Sequence, residues 1–326
     1  MKQVQFEKTG RPAEVAFWAD VPEPVLSADD QVLVRIEAFP INPSDLLLFR
    51  GVYPRTPVNG DALGNEATGI VEAVGAGVGG VKPGDRVMSL RTDNWRERQV
   101  LRESELIRLA PGLGIETAAV LKVNPATAFL MLKDFTALSQ GDWIIQNAAN
   151  SAVGRSVIEI AKRRGLRTLN VLRREGAADG LRALGAEHVI ADNDSLPGRV
   201  AELIGEGDIK LGLDAIGGSS TGRLAQVIAP SGTLVIYGGM SGQPSRFDAG
   251  QFVFRDLRLR GFWLTKFLSE APRESIVSLY DALVTLALDG AFRPEISGRF
   301  HISQLREALC HAEATMGRGK TLVTFD

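Results

Sequence analysis

The chain has 326 residues, enough for two domains with a core each. Hydrophobic residues make up 44% and charged residues 23%, and 37 Lys+Arg against 39 Asp+Glu leave a formal net charge of −2. That balance belongs to soluble globular proteins and supplies no basic face for nucleic acid.

Met1–Gly10 has neither the apolar core of a signal peptide nor the Arg-rich, acid-free character of a transit peptide, so a cytoplasmic address is expected. From Gln31 to Val87 the pattern is β-like. Val32, Val34 and Ile36 alternate with Leu33, Arg35 and Glu37, and Thr68–Val74 leads into the glycine-rich stretch Gly75 to Gly80. Lys82-Pro-Gly-Asp-Arg-Val then turns back into a strand, which predicts a compact antiparallel β domain over the first third. After the Pro111-Gly112-Leu113-Gly114 break, short apolar runs alternate with helical patterns. The strand candidates begin at Trp143, Thr168, His188, Leu211 and Thr233; between them lie helix candidates Val153–Arg164, Ala177–Leu184, Leu196–Ile204 and Ser219–Ile228. Such a βαβ series predicts a parallel sheet covered by helices, a doubly wound α/β fold. In the first of these helices Val153, Val157, Ile160 and Ala161 share one face, with Arg155, Glu159 and Arg163 away from it. A long helix over Ser275–Leu288 and a final strand from Thr321 close the chain, and no run approaches the roughly 18 apolar residues that span a bilayer.

The sharpest motif is Gln146-Asn-Ala-Ala-Asn-Ser-Ala-Val-Gly154, after a strand and opening a helix. Small residues there let backbone N–H groups approach a pyrophosphate at the positive end of the helix dipole; the plain alternative is an ordinary strand-to-helix turn. The next strand ends about 20 residues on, where a dinucleotide fold recognises the adenosine ribose. Arg173 and Arg174 stand there, followed by Glu175. Two guanidiniums suit a 2′-phosphate, so NADPH is expected over NADH, unless both are merely solvated. Tyr237-Gly-Gly-Met-Ser-Gly follows a later strand, at the carboxyl edge where ligands of open α/β sheets bind.

Zinc chemistry needs thiolate, imidazole or carboxylate ligands. The Cys and His residues are Cys310, His188, His301 and His311, none of them in the first 115 residues, so no metal is expected. A lone cysteine forms no internal disulfide either. A hydride-transfer enzyme without zinc can polarise its substrate with a neutral donor such as tyrosine. Of Tyr53, Tyr237 and Tyr280, Tyr53 lies in the loop Arg50-Gly-Val-Tyr-Pro-Arg-Thr-Pro. A tyrosine hydroxyl is protonated at neutral pH and can donate to an enolate, though from these residues alone a packing tyrosine is the readier account.

Ile41-Asn-Pro-Ser-Asp, Gly51-Val-Tyr-Pro, Gly64-Asn-Glu, Val123-Asn-Pro-Ala-Thr-Ala, Gly141-Asp-Trp-Ile-Ile-Gln-Asn-Ala-Ala-Asn-Ser-Ala-Val-Gly, Tyr237-Gly-Gly-Met and Arg260-Gly-Phe-Trp run almost end to end. With these segments the chain resembles the zinc-independent medium-chain dehydrogenase/reductase superfamily, and within it the 2-enoyl thioester reductases of the mitochondrial enoyl reductase type. Zinc members place a ligand histidine where Asn65 stands. The resemblance implies a GroES-like antiparallel β domain over 1–115, a Rossmann NADP(H)-binding domain over 116–265, and a C-terminal segment, 266–326, that returns to the first, with the active site in the cleft between. It implies NADPH-dependent reduction of an enoyl thioester carried by coenzyme A or an acyl carrier protein, a homodimer, and neither nucleic-acid nor membrane partners. Carried over residue by residue, it makes Tyr53 the proton donor. It makes Asn124, Asn150, Ser151, Ala152, Val153, Gly154, Arg173, Arg174, Glu175, Tyr237, Gly238, Gly239, Met240, Phe262, Trp263, Leu264, Thr265 and Lys320 the NADP(H) contacts. Leu46 to Phe49 and Phe262-Trp263 are candidate walls for an acyl chain, with ordinary core as the alternative for each. Asn94-Trp95 replaces the family's Gly-Thr-Trp and Lys266-Phe267 follows Gly-Phe-Trp, differences that bear on the acyl pocket. The rival enzyme is a quinone or alkenal reductase of the same superfamily; the rival of another class is a catalytically inactive nucleotide-binding or regulatory protein.

Overall fold

The computed structural model describes residues 1–54, 62–173, 176 and 178–325. The chain divides into two compact units, Met1–Val123 with Glu270–Asp326, and Asn124–Ser269. The first opens with β1 (Lys2–Phe6), the short helix α1 (Pro12–Val15) and β2 (Ala16–Asp20). It continues through β3 (Gln31–Ile41), α2 (Pro43–Phe49), β4 (Thr68–Val74), β5 (Arg86–Ser89), β6 (Arg98–Arg102), β7 (Leu106–Arg108) and α3 (Ile115–Val120). The second unit runs α4 (Asn124–Asp134), β8 (Trp143–Gln146), α5 (Ala152–Arg163), β9 (Arg167–Leu172), α6 (Ala178–Leu184), β10 (His188–Ala191) and α7 (Leu196–Ile204). Then follow β11 (Ile209–Asp214), α8 (Gly218–Val227), β12 (Thr233–Ile236), α9 (Gly250–Arg255), β13 (Arg258–Gly261) and α10 (Leu264–Glu270). α11 (Arg273–Leu288), β14 (Ile296–His301), α12 (Leu305–Ala314) and β15 (Lys320–Thr324) complete the first unit.

The first unit is built on β3. Its alternating Val32, Val34 and Ile36 are buried, and from Ala38 the strand is buried on both faces. Each such aliphatic side chain contributes roughly 1.5–3 kcal/mol by leaving water. β4 pairs antiparallel along one edge of β3; along the other edge β6 takes Gln31–Arg35 and β15 takes Ala38–Ile41. The sheet runs in the order β14-β15-β3-β4-β5-β7, antiparallel except for the β14–β15 pair. Trp95, fully buried, stacks on Phe39 at 5.2 Å and leans on Phe49. Gly64 faces that indole with φ +107°; a Cβ there would lie 2.1 Å from Trp95 Cδ1, so the turn before Asn65 admits only glycine.

The second unit is an all-parallel sheet in the order β10-β9-β8-β11-β12-β13 with helices between successive strands. The expected fold class, a GroES-like antiparallel sheet with a Rossmann sheet, is what the chain adopts. From β8 the chain steps outward to β9 and β10, then crosses back to β11 on the other side of β8. The reversal between β8 and β11 is the place where open α/β sheets bind ligands, outside the carboxyl ends of the strands. Glu159, expected on the outer face of α5, is instead buried, because α4 packs along α5 and covers it. α4 itself lacks the periodic signature of a surface helix: Asn124 to Ala128 and Leu130 to Leu132 are all buried, leaving no polar face to mark it.

Candidate active site

At the reversal the carboxyl ends of β8, β9 and β11 are stitched by buried amides. Gln146 Nε2 donates to Gly154 O (2.9 Å) and Asn170 Oδ1 (2.8 Å). Asn147 Nδ2 donates to Asp214 Oδ1 (2.6 Å) and Ser220 Oγ (2.9 Å), while its Oδ1 accepts from Ala215 N (2.8 Å). Asp214 also accepts from Ile216 N, Gly217 N and the Thr221 hydroxyl. Satisfied networks of this kind fix strand ends against each other, since an unmet buried group costs about 1–3 kcal/mol.

The turn from β8 into α5 sits on this frame. Ala148 takes positive φ (46°), and the Ser151 hydroxyl caps α5 by accepting from Gly154 N at 3.1 Å. A Cβ on Gly154 would lie 2.5 Å from the Ala149 carbonyl oxygen, so only glycine lets the first turn of α5 close over the incoming chain. The first N–H groups of a helix lack intrahelical partners and carry the positive end of its dipole, so the start of α5 is an anion site of the kind dinucleotide folds use.

Beyond β12, Tyr237 N, Met240 N and Ser241 N donate to Asp214 O, Ala215 O and Ile216 O (2.9 Å each), so the loop of Tyr237, Gly238, Gly239 and Met240 lies along the end of β11. The Tyr237 hydroxyl is buried without a partner of ordinary hydrogen-bond geometry among the described residues. Burial pushes its acidity far below that of a free phenol, Ser151 acting against that effect and Asp214 with it. Phe262 packs edge-on to Phe135 at 5.9 Å, Trp263 is 42% exposed, Leu264 is buried and Thr265 half-buried. Asn124 opens α4, buried, its amide nitrogen lacking a hydrogen-bond partner among the described residues. Arg173 is exposed just past β9; Arg174 and Glu175 lie outside the described residues. The second unit thus brings Asn124, Asn150 to Gly154, Arg173, Tyr237 to Met240 and Phe262 to Thr265 into one domain. Asn147 and Asp214, which hold the strand ends, were not foreseen; Asp214-Ala-Ile-Gly-Gly after a strand was the available signal.

The first unit carries Tyr53 and Lys320. Tyr53 is half-buried against the core that includes Phe49 and Trp95. Leu46, Leu48 and Phe49, expected as acyl-chain walls, are core residues instead, since α2 turns that face inward; Leu47 alone of the four is exposed, at 36%. Asn94 is likewise buried, its amide donating to Gly64 O and Arg91 O. Lys320 is buried and donates from Nζ to Asn42 Oδ1. It belongs to a closed group of charges. Glu66 accepts from Asn42 Nδ2 (2.8 Å) and Val123 N (2.9 Å), and Asp45 accepts from Asn42 N, Asn65 N and Asn65 Nδ2. Burial pushes the Asp45 carboxyl up to about 6, against the hydrogen bonds from Asn42 and Asn65, and raises Glu66 against the pull of Lys320. The returning segment also brings His301, Cys310 and His311 into this unit. His301 pairs with Ser303, His311 with Ser297, and Cys310 is exposed. Among the described residues no group of three His, Cys, Asp or Glu could hold a metal ion.

Residues 28–117 match the alcohol dehydrogenase GroES-like domain family and residues 152–281 the zinc-binding dehydrogenase family. The mitochondrial enoyl-[acyl-carrier-protein] reductase of Bos taurus is 39% identical over 313 residues, 94% of this chain and 83% of that protein. That of Dictyostelium discoideum is 36% identical over 304 residues, 91% of this chain and 86% of that protein. Among solved structures, a putative NADPH:quinone reductase from Bacillus thuringiensis superposes with TM-score 0.92 at 27% identity, covering 100% of this chain and 99% of that one. The Etr1p/Etr2p heterodimer of the Candida tropicalis mitochondrial 2-enoyl thioester reductase gives 0.89, and the Etr1p complex with NADP and crotonyl-CoA 0.90, each at 28% identity over 99% of both chains. The expectation of a cytoplasmic address is overturned here. The relatives are named as mitochondrial proteins, and the lack of a transit-like composition in the first ten residues does not outweigh that.

Proposed function

Because the chain belongs to the zinc-independent medium-chain dehydrogenase/reductase superfamily, among its enoyl thioester reductases of the mitochondrial type, we propose that it reduces the C2=C3 double bond of trans-2-enoyl thioesters with Tyr53 as enolate stabiliser and proton donor. It is an NADPH-dependent enoyl reductase. The observation that most supports the reading is the β8–α5 turn at the strand reversal, capped by Ser151 and closed by Gly154.

The residues present fit a dinucleotide. The α5 N-terminus offers N–H groups to the pyrophosphate, Arg173 a guanidinium to a 2′-phosphate, and Asn124 a buried amide donor that has no partner among the described residues. When bound, NADPH supplies the hydride that goes to the β-carbon. Charge then develops on the thioester oxygen and α-carbon. The Tyr53 hydroxyl donates a hydrogen bond to that charge and afterwards gives its proton to the α-carbon, regaining one from solvent. The second unit is the NADP(H) domain in this reading, and the first the substrate domain.

A dimer of two copies is part of the proposal. β13 is the outermost strand of its sheet and all four of its residues are exposed, next to Phe254, 86% exposed; an open strand edge of this kind is a template for pairing. The C. tropicalis neighbour is itself a heterodimer.

NADPH oxidation measured with crotonyl-CoA, longer enoyl-CoAs, enoyl-acyl carrier protein and a quinone panel tests the function. Enoyl thioesters should be consumed with the saturated acyl thioester as product. Turnover of quinones in preference to every enoyl thioester would replace this reading by a quinone reductase, which the fold match to the B. thuringiensis protein favours.

A further inference from the structure

The first unit buries a lysine for which the reaction above has no use. Lys122, 2% exposed, ends the stretch after α3, and its Nζ donates to two backbone carbonyls, Asn65 O at 2.6 Å and Arg91 O at 2.5 Å. Its own carbonyl accepts from the Tyr280 hydroxyl at 3.1 Å, and the next residue, Val123, donates its N–H to Glu66. Lys122 is thus fixed on both sides and ties the Gly64-Asn65-Glu66 turn to the Arg91 loop. The charges in its field are Glu66, Asp45 and Asp93.

A chain of hydrogen bonds leads from that lysine to α2. Asn65, held at its carbonyl by Lys122, donates from both N and Nδ2 to Asp45 Oδ1 (3.0 and 2.7 Å) and from Nδ2 to Ser44 Oγ (3.0 Å). Asp45 accepts from Asn42 N through its other oxygen (2.7 Å), which fixes the first turn of α2. At the far end of α2, Gly51 N and Val52 N donate to Leu48 O and Leu47 O (3.0 and 3.2 Å), and Tyr53 is the next residue.

We propose that Lys122 is a positioning residue for the reduction: it holds Asn65, and through Asn65 and Asp45 the helix α2, so that the Tyr53 hydroxyl is presented in one place. The inference rests on the Tyr53 reading. Burial pushes the Lys122 ammonium down to about 7, against Glu66, Asp45 and Asp93, so the chain keeps a group here at a cost in folding. An aliphatic side chain here would avoid burying a charge but would leave the Asn65 and Arg91 carbonyls without their donor, so the lysine fixes the two loops it joins.

The test is a double-mutant cycle on kcat with NADPH and crotonyl-CoA, using the parent, Tyr53→Phe, Lys122→Met and the pair. Lys122→Met should fold, bind NADPH within about twofold of the parent, and lose about 10–100-fold in kcat, as a misplaced catalytic group does. Tyr53→Phe should cost about 10²–10³-fold in the parent and only a few-fold beside Lys122→Met. Equal costs in both backgrounds, or an unaltered kcat for Lys122→Met, overturn the inference while leaving the Tyr53 role intact. A harmless Tyr53→Phe in the parent overturns the Tyr53 role and the inference with it. Should Lys122→Met fail to fold, Asp45→Asn, one link further along, takes its place in the cycle with the same outcomes.

Discussion

Tyr53 is half-buried against aromatic core, so a change to phenylalanine keeps the ring's packing and removes only the hydroxyl. Turnover should fall about 10²–10³-fold, the usual loss for one preorganised donor, while melting temperature and NADPH affinity stay put. Variant activity within a few-fold of the parent would make the tyrosine structural. Arg173 is exposed past β9, where a guanidinium can meet a 2′-phosphate without a buried partner to disturb. Arg173→Ala should therefore weaken NADPH by roughly tenfold or more, the worth of one charge-assisted hydrogen bond, and leave NADH nearly unchanged in parallel titrations. Arg173 was singled out from the sequence by its place after a strand, and Tyr53 by the family resemblance, its residues alone reading as a packing tyrosine. Lys122, Asn147 and Asp214 were not, because each works only through segments that the fold brings alongside it. Lys122 reaches carbonyls 57 and 31 residues away, and Asn147 a carboxylate 67 residues away. No spacing rule links them.

At the scale of elements, the β8–α5 turn depends on a single missing methyl. Gly154→Ala would drive its Cβ to 2.5 Å from Ala149 O and 2.7 Å from Ala149 Cα, backbone atoms that cannot swing aside. The turn must open, so NADPH affinity should fall by tenfold or more in a fluorescence titration, with a cost in stability of about 1–3 kcal/mol. Wild-type affinity in that variant would show that the turn does not cradle the cofactor. The βαβ series was legible since its strands are short apolar runs and its helices amphipathic: Leu196–Ile204 was located to the residue, and α5 to within one. Elements with uniform surroundings were not. α4 is buried on nearly every side and β13 exposed at all four positions, so neither carries the periodicity from which a helix or strand is read.

For the molecule as a whole, the buried charges of the first unit set how stability follows pH. Asp45 titrates near 6 in the fold and near 3.8 in the open chain. Between those values the fold holds a proton the open chain has lost, so this group's contribution falls as pH rises. Lys122 titrates near 7 in the fold and near 10.5 in the open chain. There the open chain holds the extra proton, and stability rises with pH from about 7 upward. Urea midpoints at pH 5, 7 and 9 should show that rise in the parent and its loss in Lys122→Met; the same rise in both would remove Lys122 as its source. The antiparallel first third and the parallel remainder could be read from strand spacing. The buried network could not, since Asn42, Asp45, Asn65, Glu66, Lys122 and Lys320 come from four separate stretches of chain. One of those stretches is the last to be made. β15 fills the edge of β3 over Ala38–Ile41, beside β14, whereas the second unit is contiguous from Asn124 to Ser269. On the ribosome the nucleotide fold can close while β3 waits, half-paired, for a strand not yet synthesised. A chain cut before β15 would keep the contiguous second unit but lack Val323 and the strand that closes the core against which Tyr53 packs.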